Sequence, residues 1–206
     1  MNKRYLLLLL LFIFASNTQA QDDKFHFGLK IAPTLAWLKP DTKGIEKGGS
    51  KLGFSYGIIT EFNFQDNYSL ASGLQVTYRG GKLGVKGFDN LGNPTTIKST
   101  LNLQYVELPI TLKMKTNLFD KYRFFGQFGI VNGINIRAKD SDNNDIKDKI
   151  NAYNVAMTIA LGTEYTISGS TTLLGSLEFN NGFIDILKGD QKAVTNYFAL
   201  NIGVMF

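Results

Sequence analysis

Large apolar residues recur at every second position in eight separate segments of this chain, from Phe25 to Phe206. A repeat of two belongs to a β-strand with one apolar and one polar face, and no segment sustains the 3.6-residue repeat of a helix. In NYFALNIGVMF (196–206), one face carries Phe198, Leu200, Ile202, Val204 and Phe206, and the other Tyr197, Ala199, Asn201, Gly203 and Met205. The earlier segments begin KFHFGLKIAPTLAWL, LGFSYGIITEFNF, YSLASGLQVTY, TLNLQYVELPITLKMK, YRFFGQFGIVNGINI, AYNVAMTIALGTEYTI and TTLLGSLEFNNGF. The fourth changes phase: Leu101, Leu103 and Tyr105 alternate, then Val106, Leu108, Ile110, Leu112 and Met114. A one-residue slip of this kind predicts a β-bulge near Tyr105–Val106, with Pro109 tolerated beside it.

The links between segments alternate in length. Residues 39–50, 80–97, 138–151 and 184–193 are long and polar or Gly-rich, while Gln65–Asn67, Thr116–Lys121 and Ser168–Ser170 are tight. Eight strands with long links at one end and short ones at the other predict an all-β, antiparallel up-and-down barrel of the transmembrane kind, with both termini at the short-link end.

The opening MNKRYLLLLLLFIFASNTQA is of different character. A basic start (Lys3, Arg4), an apolar run and a small-residue exit predict a cleaved signal peptide over 1–20, leaving the barrel over 21–206. Its apolar run of about 11 residues is short of the roughly 20 that a spanning helix needs. Loss of this leader lowers the net charge from +5 to +3, spread along the chain, so no nucleic-acid partner is expected. The chain has no cysteine, which excludes disulfides, thiolate metal sites, a Cys nucleophile and a lipoprotein anchor.

Alternation alone also fits a soluble barrel whose apolar face surrounds a ligand. Three features favour the opposite orientation. Ten charged residues within the strands (Lys30, Glu61, Arg79, Glu107, Lys113, Lys115, Arg123, Arg137, Glu164 and Glu178) avoid the apolar phase, where a charge facing mid-bilayer costs about 2–4 kcal/mol. Eight strands enclose a space just wide enough for side chains or one small ligand, too narrow for the bulky phase. Aromatic residues gather at strand ends, as in the interfacial girdles of membrane barrels. The sequence therefore predicts a bacterial outer-membrane barrel. Phe198, Leu200, Ile202, Val204 and Phe206 resemble the terminal signal that the barrel-assembly machinery reads during insertion.

LQYVELPITLKMK (103–115), with its Tyr-x-Glu-x-Pro core followed by Lys, resembles the fourth strand of the PorT-like outer-membrane β-barrel family. YRFFGQFGIVNGI, MTIALGTEYTI and LEFNNGFIDI are similar to that family's fifth, sixth and seventh strands, though the fifth and seventh lack its usual Gly-Pro and Arg-Tyr pairs. The resemblance implies small eight-stranded barrels of Gram-negative bacteria, whose founding member is implicated in protein secretion across the outer membrane.

Chemistry is sparse. The one histidine, His26, falls at the periplasmic start of the first strand, the wrong end for outer-leaflet catalysis, so no catalytic residue, cofactor or enzymatic activity is expected. Lys30, Glu61, Arg79, Glu107, Lys113, Arg123, Glu164 and Glu178 are expected to form a paired polar network in the lumen, since unpaired charges there are costly. Asp140, Asp142, Asn144 and Asp145 imitate a calcium loop but lack its central glycine and its terminal glutamate, position 151 being Asn, so no metal is expected. Lys39, Lys43, Lys47, Lys82 and Lys86 in the long links are candidates to meet lipopolysaccharide phosphates. The expected role is non-enzymatic: a structural or interaction protein that contacts outer-membrane lipid and a protein partner through its outer loops. The alternatives are a narrow channel for ions or small solutes and a soluble lipocalin-like carrier.

Overall fold

The computed structural model describes residues 24–42, 45–88, 94–189 and 191–206. The leader expected over 1–20 lies outside them. Eight strands follow one another: β1 (Phe25–Pro40), β2 (Ile45–Gln65), β3 (Tyr68–Phe88), β4 (Pro94–Lys115), β5 (Tyr122–Lys139), β6 (Tyr153–Ser168), β7 (Thr171–Gly182) and β8 (Ala193–Met205). Each pairs antiparallel with the next and β8 pairs with β1, closing a barrel. Closure extends to the chain's last residue, where the Phe206 N–H donates to the Phe27 carbonyl at 2.8 Å. No described helix is long and apolar enough to cross a membrane.

The register fixes the width of the tube. Starting at Ala36, the pairs lead through Tyr197, Asn180, Thr158, Gly129, Thr111, Ala71 and Glu61 to His26, ten residues lower on β1. A stagger of that size in an eight-stranded barrel tilts the strands by about 35–45° and leaves an interior that side chains fill.

Orientation is settled by exposure. Phe54, Ile159 and Leu200 are 40%, 46% and 51% exposed on the outer wall, while Lys113, Glu107 and Arg79 are buried inside. The soluble carrier reading is thereby overturned, because its apolar phase would have to face the axis. Outer rings pair near the two edges: Phe27 with Phe206, Phe64 with Tyr68 and Tyr122 with Tyr165 at the end of the tight turns, and Trp37, Phe179 and Phe198 together, with Phe54, Tyr56 and Tyr78, toward the other.

Two expectations are corrected. The links expected at 39–50 and 80–97 are largely strand, because β2 begins at Ile45, β3 runs to Phe88 and β4 begins at Pro94. Glycine permits this: a Cβ on Gly48 would come within 2.8 Å of the Lys82 carbonyl carbon, so only glycine lets the two backbones stay paired there. The phase change in β4 is also not a bulge of β4. Leu101, Leu103 and Tyr105 continue the inward phase of Glu107 and Thr111 without a break. The extra residue lies on β5, where Gln104 opposes Arg137 but Tyr105 opposes Asn135. Arg137 consequently leaves the lumen phase and is exposed on the outer wall.

Leu200→Arg places a cation against the acyl chains and is expected to lower unfolding free energy in lipid vesicles by about 2–4 kcal/mol. Asp148→Arg in an outer loop is expected to stay within about 0.5 kcal/mol of wild type, both read from denaturant titration.

Candidate functional site

The inward face of the barrel is built in tiers, each set by which strands bring a charge to the same height. Near the tight turns, Glu61 of β2, Lys113 and Lys115 of β4 and Glu164 of β6 form a four-charge cluster of zero net charge. Lys113 Nζ lies 2.8 Å from Glu61 and also contacts Glu164, and Lys115 contacts Glu61 and lies 3.9 Å from Glu164. The Ser69 hydroxyl donates to Glu61 at 2.8 Å, and the Phe125 ring centroid lies 4.3 Å from Lys113 Nζ.

A second group joins β1, β6, β7 and β8. Lys30 Nζ stands 4.0 Å from Glu178 and donates to Asn201 at 3.4 Å. The Asn201 amide donates to Glu178 at 2.9 Å and to Ser176 at 3.2 Å, and the Thr158 hydroxyl donates to Glu178 at 3.1 Å.

The third group centres on Arg79 of β3, whose Nη1 lies 3.0 Å from Glu107 and whose Nη2 donates to Asn154 at 2.9 Å. Gln75 and Thr77 donate to the other Glu107 oxygen at 2.7 and 2.6 Å. The guanidinium is flanked by Tyr105, 4.1 Å to the ring centroid, and by Tyr197, 5.5 Å away. Together the groups hold four bases and four acids. A narrow interior of low dielectric demands this balance, since a lone buried charge costs several kcal/mol.

Above Arg79 the lumen turns apolar. Leu38, Leu83, Leu101, Leu103, Tyr105, Ala138, Ile150, Ile186 and Ala193 form one buried cluster. Ile150 and Ile186 come from the loops after β5 and β7, which are laced together at the barrel's mouth. The Asn151 side chain donates to the Asp185 and Leu187 carbonyls at 2.8 and 3.2 Å, and the Lys188 N–H donates to Lys149 at 2.9 Å. Cavities remain below this cap: about 50 Å³ around Lys30, Gln75 and Thr111, and about 260 Å³ at the mouth on the tight-turn side by His26, Arg123 and Gly169.

Of the eight lumen residues expected from sequence, the structure brings seven into ion pairs. Arg123 is half-buried at the mouth cavity and forms no ion pair within 4 Å among the described residues. Lys115, omitted from that set, is a full member; its place two residues from Lys113 on the same strand face was the available signal. Tyr105, Tyr197 and the apolar cap were missed as well: Tyr197 was recognisable only as a large residue on the inward phase, and Tyr105 reads in sequence as part of the apolar phase. His26 meets the Asn63 side chain, 3.3 Å between nitrogens.

In the acidic loop, Asp140 accepts from the Asp142 and Asn144 backbones at 2.9 Å and from the Asn144 amide at 3.0 Å. That amide holds the Asp140 carboxyl below its usual range. No cluster of three or more His, Cys, Asp or Glu capable of holding a metal exists among the described residues. Lys43 and the side chain of Lys86 lie outside what is described, while Lys39, Lys47 and Lys82 are on strands β1 to β3 at their outer ends.

A family model described as outer membrane protein beta-barrel domain matches residues 18–188. No curated protein sequence matches the chain. Among solved structures, Neisserial surface protein A is similar over 88% of this chain and 95% of its own, at 12% identity and a TM-score of 0.54. The outer membrane protein OprG from Pseudomonas aeruginosa is 11% identical, covering 89% and 97%, with a TM-score of 0.45. The outer membrane protease OmpT from Escherichia coli is 8% identical, covering 92% and 99%, with a TM-score of 0.46. Likeness at these identities concerns the fold alone.

Glu107→Ala leaves Arg79 buried without its partner and is expected to cost about 3–5 kcal/mol. Replacing both, Arg79→Met with Glu107→Leu, is expected to cost much less, and denaturant titration of the two variants separates a mismatched charge from lost packing.

Proposed function

This chain belongs to the outer membrane protein beta-barrel domain family and is an outer-membrane protein, and on that premise we propose that it acts as a closed, non-enzymatic barrel of structural or interaction type. The observation that carries this reading is the cap. The upper lumen is filled by Leu38, Leu83, Leu101, Leu103 and Tyr105, locked from above by Ile150 and Ile186. A column of apolar side chains over a buried Arg79–Glu107 pair gives a hydrated ion no continuous polar path.

What the barrel offers outward is its laced loops, which carry Asp142, Asp145, Asp148 and Lys149 into solvent over a rigid base. Such a surface suits a protein partner, and the resemblance of strand four to PorT-like barrels supports a role beside a secretion apparatus. On the way to the membrane, the barrel-assembly machinery is the expected partner of the apolar stripe from Phe198 to Phe206. A narrow channel is the second reading, favoured by the charged lower lumen and its 260 Å³ periplasmic vestibule.

Planar-bilayer recording of the refolded barrel distinguishes the two. The closed barrel shows no steps above leak, and Ile150→Gly combined with Ile186→Gly introduces them; unitary conductance in the wild type overturns the reading. A deletion strain tests the partner role: impaired secretion, adhesion or envelope integrity is expected, and normal performance in all three removes it.

A further inference from the structure

Every paired cation of the lumen faces a carboxylate. A second group of cations, on the outer wall, does not. Lys51 of β2 and Arg137 and Lys139 of β5 line one cleft of about 270 Å³ with Tyr78, Asn102 and Gln104; Arg79 and Leu103 reach it from the lumen side, and no carboxylate lines it.

Two register slips build this cleft. On β2, four residues separate Gly49 from Phe54 where β3 has three between Lys82 and Tyr78, so the ladder opens beside Lys51. On β5, the extra residue between Asn135 and Arg137 turns the guanidinium outward opposite Gln104. Between them β3 contributes Gly80, the register partner of Asn102. With no side chain in the way, Lys51 reaches over β3 and donates to the Asn102 side-chain oxygen. Lys139 is opposite Asn102 on the other side and donates to Asn143 at 2.7 Å. The two ammonium groups are thus met by neutral amides, and the Arg137 guanidinium is exposed. Three positive charges converge in a lining without a carboxylate, at the foot of the loop that carries Asp140 and Asp145.

Depth decides what can neutralise them. The cleft stands directly above Phe54, Tyr56 and Tyr78, whose rings form the upper aromatic group of the outer wall. Such rings mark the membrane–water interface, so the next residues outward lie among lipid headgroups. There a cation costs little, and an anionic headgroup turns the cost into a gain. Arg137 offers the planar fork that suits a phosphate, and Lys51 and Lys139 add point charges on either side. Leu52, 78% exposed beside Lys51, and the Tyr78 ring provide an apolar wall where an acyl chain leaves the headgroup.

We propose that this cleft is a binding site for the phosphorylated glycolipid of the outer leaflet, with Arg137, Lys51 and Lys139 on the headgroup phosphate and Leu52 and Tyr78 against the proximal acyl chain. The proposal does not rest on the closed-barrel reading, since its test reads lipid binding and not conductance.

The test measures binding of the refolded full barrel, in detergent micelles, to bisphosphorylated lipid A, to the same lipid dephosphorylated, and to inorganic phosphate. Bisphosphorylated lipid A is expected to bind at least tenfold tighter than its dephosphorylated form. The triple variant Lys51→Gln, Arg137→Gln, Lys139→Gln is expected to lose at least tenfold, while Lys121→Gln in the tight turn between β4 and β5 loses nothing. Heat-modifiable migration confirms that each variant is folded, and the single charge reversal Arg137→Glu gives a second measure should the triple variant fail to refold. Equal binding of the two lipids, or wild-type affinity in both the triple variant and the charge reversal, overturns the proposal. Full displacement of the lipid by millimolar inorganic phosphate overturns it too, since the cleft would then be a free-anion site without lipid recognition.

Discussion

The hydrocarbon of a bilayer supplies no hydrogen-bond partner, so every backbone N–H and C=O that crosses it must be paired within the protein. The rest of this molecule follows from that demand. Pairing all strands without an edge forces β8 back onto β1, down to the contact between Phe206 and Phe27. Closing eight strands with a stagger of ten residues fixes a tube so narrow that inward side chains meet across it. Bulk water is then missing inside as well as outside, and inward charges must neutralise one another. The Glu61–Lys113–Glu164–Lys115 cluster and the Arg79–Glu107 pair are consequences of backbone closure as much as of their own chemistry.

The outer wall was legible in the sequence because lipid imposes one rule across its thickness: between the two aromatic groups the outward phase is largely apolar and free of charge along all eight strands. The inner wall obeys a different rule at each height. Near the periplasmic end it is ionic, and the charged residues on that phase could be read from alternation. Near the outer mouth it is apolar, because Ile150 and Ile186 fold in from loops far along the chain. At that height the contrast between the two faces vanishes, and Leu101, Leu103 and Tyr105 read as though they belonged to the lipid side. Periodicity carries no information about where a loop will land.

Pairing within the lumen was beyond reach for a related reason. Phase says that Lys30 and Glu178 both point inward, yet their meeting depends on the stagger between β1, β8 and β7. The same holds for Arg79, which reaches Glu107 from two inward-facing rows above it. A slip of one residue anywhere in the ladder would have chosen other partners. Arg123, on the correct phase and opposite Glu164 in register, still forms no ion pair among the described residues, because Lys113 and Lys115 already occupy that carboxylate.

The slips themselves obey the membrane. Among the described residues, register shifts occur between Lys47 and Phe54, at Gln104–Tyr105, at Asn63–Gln65 and at Thr166–Ser168. The last two adjoin the tight turns; the others lie at or above the upper aromatic rings. None falls in the band between. A bulge puts two successive residues on one face or leaves backbone groups unpaired, and within hydrocarbon either outcome is costly, whether as a polar side chain against acyl tails or as an orphaned amide. At headgroup depth the penalty nearly disappears, because phosphates and water can satisfy what the ladder does not. The same irregularity that would destabilise the wall at mid-depth is therefore available at its rim as a means of turning a lumen-phase arginine outward. The positions of the bulges thus follow from the bilayer, and the cationic cleft follows from the bulges.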